Sequence, residues 1–282
     1  MVGIITDSTC DIPEALIEQH GIHVVHHTII WGDSQYRDRI EMQPEEFYRR
    51  LAVDPHHPTT SQAGIPDFQQ AYETVARQGA KEIIVLTLSS AMSGAYQMAL
   101  NAAKLVKLPV HVVDSKSATM GLGWQVLAAA RACAAGADVQ GILETIDQVR
   151  KKLVLLISMD TLEYLQRGGR IGGAVKWVGG MLNVKPLILV NQQTGLVEPV
   201  SLAHTQKAVV EMLYNRFFSK LAGGKNLHIS VLHGNAKEKA EELAERIRTE
   251  FHPVELLTNI TGPVQASNTG PGALSLCGYA ED

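Results

Sequence analysis

Short apolar runs, each ending in hydroxyl or carboxylate side chains, recur through the first half of the chain. Val2-Gly-Ile-Ile-Thr-Asp-Ser-Thr9, Ile22-His-Val-Val-His-His-Thr-Ile-Ile30, Glu82-Ile-Ile-Val-Leu86 and Val110-His-Val-Val-Asp-Ser115 have the length and β-branched content of buried strands. Helix-forming segments follow them. Asp11-Ile-Pro-Glu14 reads as a helix start, with Asp11 as N-cap and Pro13 in the first turn. Gly94–Ala103 is proline-free and helix-forming, and Trp124–Ala135 is an Ala-rich helix after a small-residue turn, Gly121-Leu-Gly123. Helical pattern also covers Gln43–Leu51 and Ile65–Gly79, parted by the loop Asp54-Pro-His-His-Pro58, which delivers Thr59-Thr-Ser-Gln62. Strand–helix alternation of this kind predicts a right-handed, mainly parallel βαβ sheet. Ligands of such sheets sit at the carboxyl ends of the strands, where Asp7-Ser8-Thr9, Ser89-Ser90 and Asp114-Ser115 fall.

The pattern changes near Arg150-Lys-Lys152, which predicts two domains, residues 1–150 and 151–282. Leu153–Ser158 reads as a strand, and Asp160–Arg167 as a short helix that Gly168-Gly169 can end. Lys185–Val190 and Leu196–Ala203 flank Gln192-Gln-Thr-Gly195 as a β-hairpin, with Pro199 pointing to an edge position. Helices at Thr205–Leu221 and Lys237–Glu250 surround the strand Leu227–Leu232; Val254–Ile260 and Gly272–Gly278 close the sheet. The expectation is an α/β chain with a mainly parallel N-terminal sheet and a mixed-sheet C-terminal domain.

Composition narrows the function classes. Of 282 residues, 45% are hydrophobic and 19% charged, the balance of an ordinary globular chain with ample core. A net charge of −4 removes the electrostatic case for nucleic acid or an anionic membrane. No apolar run reaches the roughly 20 residues needed to cross a bilayer, so membrane insertion is not expected. The start of the chain lacks a signal-peptide pattern, and Cys10, Cys133 and Cys277 are widely spaced. Both features predict a cytoplasmic protein without a structural metal or disulfide framework.

The richest chemistry lies at Leu86-Thr-Leu-Ser-Ser-Ala-Met-Ser-Gly-Ala-Tyr-Gln-Met98, where a strand turns over serines into a helix. Unpaired N–H groups and the positive end of a helix dipole converge near Ser93, which suits a carboxylate or phosphate. A serine that merely caps the helix fits the same pattern. Ala91-Met-Ser93-Gly-Ala95 also resembles a GxSxG elbow with alanine at both glycine positions. An acyl hydrolase would use Ser93 with Asp160 and one of His204, His228 or His233. No GxxxxGK[ST] occurs, and Gly121-Leu-Gly-Trp-Gln-Val126 lacks the third glycine of a dinucleotide fingerprint. Thr59, Thr60, Ser61, Ser89, Ser90, Ser93 and Ser115 offer neutral donors that suit a carboxylate head group without any general base. Arg167 and Arg170 add guanidinium groups on a glycine-flanked loop, or are ordinary surface charge. Ala174–Leu182 is an apolar segment fit for the wall of an acyl chain, or for a core helix.

Several strings together resemble the DegV family of bacterial fatty-acid-binding proteins. They are Thr6-Asp-Ser-Thr-Cys-Asp11, Thr60-Ser-Gln62, Ser89-Ser-Ala-Met-Ser-Gly-Ala-Tyr-Gln97, Val113-Asp-Ser115, Met120-Gly-Leu-Gly123, Thr161–Gly172, Lys185-Pro186 and Thr269-Gly-Pro-Gly272. They occur in order across essentially the whole chain. The resemblance implies two α/β domains with one long-chain fatty acid, such as palmitate, stearate or oleate, bound between them in an apolar tunnel. It also implies presentation of that acid to a separate ATP-dependent fatty-acid kinase, whose acyl-phosphate product feeds phospholipid synthesis. Under it the protein is a carrier without catalysis or cofactor of its own. Thr60, Ser61 and Ser93 would be carboxylate ligands, Gly94 would contribute backbone, and Arg170 would stand near the head group. One departure is clear: members commonly read G-A-H-T-G-P-G where this chain has Ala266-Ser-Asn268-Thr-Gly-Pro-Gly272. Asn268 hydrogen-bonds but cannot titrate as histidine does.

Overall fold

The computed structural model describes residues 1–177, 184–221 and 224–281. Its first half contains strands β1 (Val2–Asp7), β2 (His23–Val25), β3 (Thr28–Trp31), β4 (Ser34–Arg37), β5 (Thr59–Ser61), β6 (Glu82–Thr87) and β7 (Val110–Asp114). Helices α1 (Glu14–Gln19), α2 (Pro44–Leu51), α3 (Ile65–Arg77), α4 (Ala95–Ala103), α5 (Met120–Ala134) and α6 (Val139–Lys152) run between and after them. The second half holds β8 (Val154–Ser158), β9 (Lys185–Val190), β10 (Val197–Ala203), β11 (Lys225–His233), β12 (Glu255–Ile260) and β13 (Leu274–Glu281). Its helices are α7 (Glu163–Gly168), α8 (Gln206–Lys220), α9 (Lys237–Phe251) and α10 (Pro263–Thr269).

Strands β2-β1-β6-β7 form a sheet whose pairings are all parallel, as the apolar runs predict. The second sheet, β10-β9-β8-β13-β11-β12, is mixed: β11 and β12 are parallel, the other pairs antiparallel. The β9–β10 hairpin lies where Gln192–Gly195 places it, with β10 at the edge and a register shift beside Pro199. A third, antiparallel sheet, β4-β3-β5, is absent from the sequence reading. It arises because the run Ile22–Ile30 is two strands, not one. At the break, the His27 N–H donates to Ser8 Oγ at 3.1 Å, and His26 Nδ1 lies 2.7 Å from the Asp38 carbonyl. The backbone therefore leaves the parallel sheet at the two histidines and pairs elsewhere.

Two further expectations are corrected. Asp11 does not cap α1: its backbone is left-handed (φ 52°), and its carboxylate instead takes Arg39 Nη2 (2.6 Å), Thr119 Oγ1 (2.6 Å) and the Gly262 N–H (2.9 Å). Pro13 occupies the N-cap position of α1 without a side-chain cap. Gly121-Leu-Gly123 is not a turn but the buried first turn of α5. The glycines serve close packing there, since a Cβ on Gly123 would stand 2.6 Å from the Cys10 carbonyl oxygen. Helices α6 and α10 went unread in the sequence.

Helix α5 is buried on every face from Met120 to Ala130, the signature of an element enclosed in a core. One hydrophobic cluster joins it to Ile4, Ile84 and Leu86 of the parallel sheet and to Leu155, Ile188 and Cys277 of the mixed sheet. The two sheets therefore share a core, which sets the ends of the first against the face of the second.

Candidate functional site

The loops that leave the carboxyl ends of the parallel strands face β8, β9 and β10 across a cleft. It contains about 690 Å³ of unfilled space, its open mouth included. Five of the six candidate residues line it: Thr60, Ser61, Ser93, Arg170 and Asn268. Gly94 is not among the lining residues. It stands at the N-cap of α4, packed against the Gln62 side chain, where helix geometry leaves N–H groups unpaired. Much of the wall is aliphatic, supplied by Leu88, Met92, Ile157, Ile188, Val190 and Val197.

The cleft has an exposed end and a buried end. Thr60, Arg170 and Asn268 also line an outer recess of about 590 Å³, shared with His57, Tyr164 and Arg167. On the other side, Ala118, Ile157, Gln265 and Thr269 are common to the cleft and to a small inner recess, which Leu232 and Ala273 line together with the hydroxyls of Thr119, Thr261 and Ser275. Of the segment Ala174–Leu182, residues 174–177 belong to a 3-10 helix and do not line the cleft, and residues 178–182 lie outside the described residues.

Each polar group at the mouth is held in a particular way. The Ser93 N–H donates to the Ser89 carbonyl at 3.0 Å, and Ser93 Oγ accepts the Ala95 N–H at 3.2 Å, leaving its own hydrogen to donate. Ser93 is therefore not the N-cap, which is Gly94; its hydroxyl closes a local turn ahead of α4 and keeps a hydrogen free to donate. Strand pairing of β5 with β3 sets Thr60 opposite Ile29 and Ser61 opposite Thr28. Arg170 donates through Nε to the Met92 carbonyl (3.2 Å) and through Nη1 to the Gly168 carbonyl (2.5 Å), which leaves Nη2 free among the described residues. Asn268 Nδ2 donates to the Val264 carbonyl (3.0 Å) and to Ser267 Oγ (3.2 Å). Its oxygen is packed on Gly168, where a Cβ would come within 2.2 Å of it. Asn268 therefore offers the site an acceptor, because both amide hydrogens are committed inside α10.

The other hydroxyls grouped with these in the sequence do structural work. Ser89 Oγ donates to the Gly195 carbonyl (2.8 Å), tying the parallel sheet to the β9–β10 turn. Ser90 Oγ donates to the Asp114 carboxylate, and Ser115 Oγ to the Ser117 carbonyl. Arg167 pairs with Glu163 beside the outer recess. His27 is a lining residue that the sequence reading missed; two polar histidines inside an apolar run were the available sign. Its Nδ1 accepts the Ala63 N–H at 2.8 Å, and its Nε2 faces Asp7 Oδ1 at 3.5 Å. Burial works to raise the Asp7 pKa, but His27, the Thr9 hydroxyl and the Leu88 N–H outweigh it and hold the carboxyl below its usual range. Neighbouring Asp38 goes the other way: burial pushes it up to about 6 against Arg39 and the Ser8 hydroxyl.

None of Asp160, His204, His228 and His233 lines the cleft with Ser93. His27 is the one histidine lining the cleft among the described residues; its Nδ1 is taken by the Ala63 N–H, and its Nε2 faces Asp7. Asp160 pairs with Lys185 (3.2 Å), His228 lies between Glu255 and Glu281, and His233 accepts the Ala236 N–H. No group of His, Cys, Asp and Glu among the described residues has the arrangement of a metal site, and no helix there is long and apolar enough to cross a membrane.

Comparison with known proteins agrees with this architecture. A DegV-domain-containing protein of Halalkalibacterium halodurans is 31% identical over 281 residues, covering 99% of both chains. Among solved structures, a DegV family protein from Thermus thermophilus, described for its fatty acid binding, superposes with a TM-score of 0.93 at 32% identity, covering 99% of each chain. DegV of Bacillus subtilis, described as a fatty acid binding protein, gives a TM-score of 0.91 at 28% identity, again over 99% of each chain. The model of the DegV family of uncharacterised proteins matches residues 1–281. With the family model spanning residues 1–281 and a relative 31% identical over 99% of both chains, the chain belongs to the DegV family.

Proposed function

We propose that the protein carries one long-chain fatty acid, such as palmitate, stearate or oleate, and presents it to a separate ATP-dependent fatty-acid kinase. The carboxylate lies among Thr60, Ser61, Ser93, the N–H of Gly94 and Arg170, with Asn268 beside it, and the acyl chain runs along the aliphatic wall toward the inner recess. One observation carries this reading: a mouth of hydroxyls, with one guanidinium nitrogen that has no partner among the described residues, opens onto a largely aliphatic cleft. The naming of the Thermus and Bacillus relatives as fatty acid binders supports it. Burial of methylenes, worth about 0.8 kcal/mol each before ordering costs, supplies most of the affinity. The polar mouth sets direction, because a carboxylate left without donors in the apolar interior is costly. The protein itself performs no chemistry and takes no cofactor; the kinase makes the acyl-phosphate at the solvent-facing mouth, in the cytoplasm, for phospholipid synthesis.

A single assay tests the reading. The loaded protein with ATP and a fatty-acid kinase should yield acyl-phosphate, and Ser93→Ala should yield about tenfold less, through loss of one charge-assisted hydrogen bond. Ser93→Ala also removes the acceptor for the Ala95 N–H, so it should lower stability by about 1 kcal/mol. Turnover of p-nitrophenyl palmitate by the parent alone, lost in Ser93→Ala, would replace the carrier with a hydrolase.

A further inference from the structure

We infer that Asp7 is the positioning residue of the head-group site, holding both hydroxyl-bearing segments in register from beneath through His27 and the Leu88 N–H. This rests on the reading that Thr60, Ser61 and Ser93 receive a carboxylate. Asp7 ends β1 and is fully buried. One oxygen, Oδ2, accepts the Leu88 N–H at 2.8 Å, at the start of the turn that leads to Ser93. The other, Oδ1, accepts the Thr9 N–H (3.0 Å) and Thr9 Oγ1 (2.5 Å) and faces His27 Nε2 (3.5 Å). The Ala63 N–H, two residues beyond Ser61, donates to His27 Nδ1 at 2.8 Å. That bond leaves the ring proton on Nε2, which stands at ion-pair distance from Asp7 Oδ1 with no other partner among the described residues. Ser8 adds a cross-tie, accepting the His27 N–H and donating to Asp38 Oδ2 at 2.6 Å. The segment carrying Thr60 and Ser61 and the segment carrying Ser93 lie some thirty residues apart in sequence, on different sheets. One carboxylate fixes their separation, and the spacing of the donors that a carboxylate meets follows from it. Asp7 is fully buried and does not line the cleft, so it acts only through these segments.

The test uses uniformly 15N-labelled, delipidated protein and [1-13C]palmitate as probe. In the parent, His27 should show a protonated Nε2 and an unprotonated Nδ1. In Asp7→Asn, the amide resonances of Ser61, Ala63, Leu88 and Ser93 should shift together while those of β12 stay in place. Bound palmitate should then show a moved carboxyl resonance and dissociate about tenfold faster. In the ligand-free protein, His27→Leu should shift the amides of both segments as Asp7→Asn does, whereas His27→Gln, which can still accept from Ala63 and donate toward Asp7, should leave them closer to the parent. Equal behaviour of His27→Gln and His27→Leu, or amide shifts confined to one of the two segments, would overturn the inference. A parent that binds no palmitate would instead overturn the head-group reading, with the ligand-free amide shifts still deciding whether Asp7 couples the segments.

Discussion

Ala118→Phe should abolish retention of palmitate while leaving octanoate bound. Ala118 is buried, 5% exposed, in the loop between β7 and α5, and its side chain belongs to both the cleft and the inner recess. A phenyl ring there occupies the passage between them, so a chain anchored at the mouth meets a wall after a few carbons. The lost affinity grows with each methylene refused, at about 0.8 kcal/mol apiece, so a sixteen-carbon acid suffers far more than an eight-carbon one. Overpacking at a buried position should also lower stability by about 1–3 kcal/mol, which thermal unfolding reports separately. Calorimetric titration of delipidated protein with both acids reads the selectivity. Equal loss of both acids, or retention of palmitate at parental affinity, would place the acyl chain elsewhere.

Trp124→Ala should cost about 3–5 kcal/mol of folding stability, read as a lower urea midpoint. Trp124 is fully buried in α5, with ring centroids 5.8 Å from His228 and 5.9 Å from Tyr279, both edge-on, and its Nε1 donates to the Cys277 carbonyl at 3.3 Å. Truncation opens a large cavity in the cluster that joins the two sheets and removes the indole donor from a β13 carbonyl. Because that cluster sets the strand-end loops against the mixed sheet, lipid retention should fall with stability in this variant. A loss below about 1.5 kcal/mol, typical of a site that collapses around a deletion, would show that α5 is not the shared core element described here.

The strands of both halves were legible because buried strands read as short continuous apolar runs, bounded by turn residues. The β9–β10 hairpin was equally legible, its turn and its edge proline visible in Gln192–Gly195 and Pro199. The β4-β3-β5 sheet was not, since its existence depends on His26 and His27 finding partners at Asp38 and Ser8 rather than on any local pattern. Asp11 misled for a related reason. An Asp ahead of a Pro looks like a helix cap, but the Arg39 guanidinium, the Thr119 hydroxyl and the Gly262 N–H, all distant in sequence, compete for it and win. Among seven hydroxyls at strand ends, local sequence could not separate Ser93 and Ser61, which line the cleft, from Ser89, Ser90 and Ser115, whose hydroxyls hold neighbouring loops. The departure at Asn268 was visible as a residue identity. The direction of its amide, set by Val264 and Ser267 within α10, was not.

The central claim is that the cleft of this chain holds one long-chain fatty acid by its carboxylate. Native mass spectrometry of the protein purified from bacterial cells, followed by denaturing extraction, tests it most directly. The account predicts a single adduct per chain with the mass of a saturated or monounsaturated acid of sixteen to eighteen carbons, at reduced occupancy in Ser93→Ala and absent from Ala118→Phe. A protein that emerges unliganded and takes up neither palmitate nor oleate on incubation would contradict it.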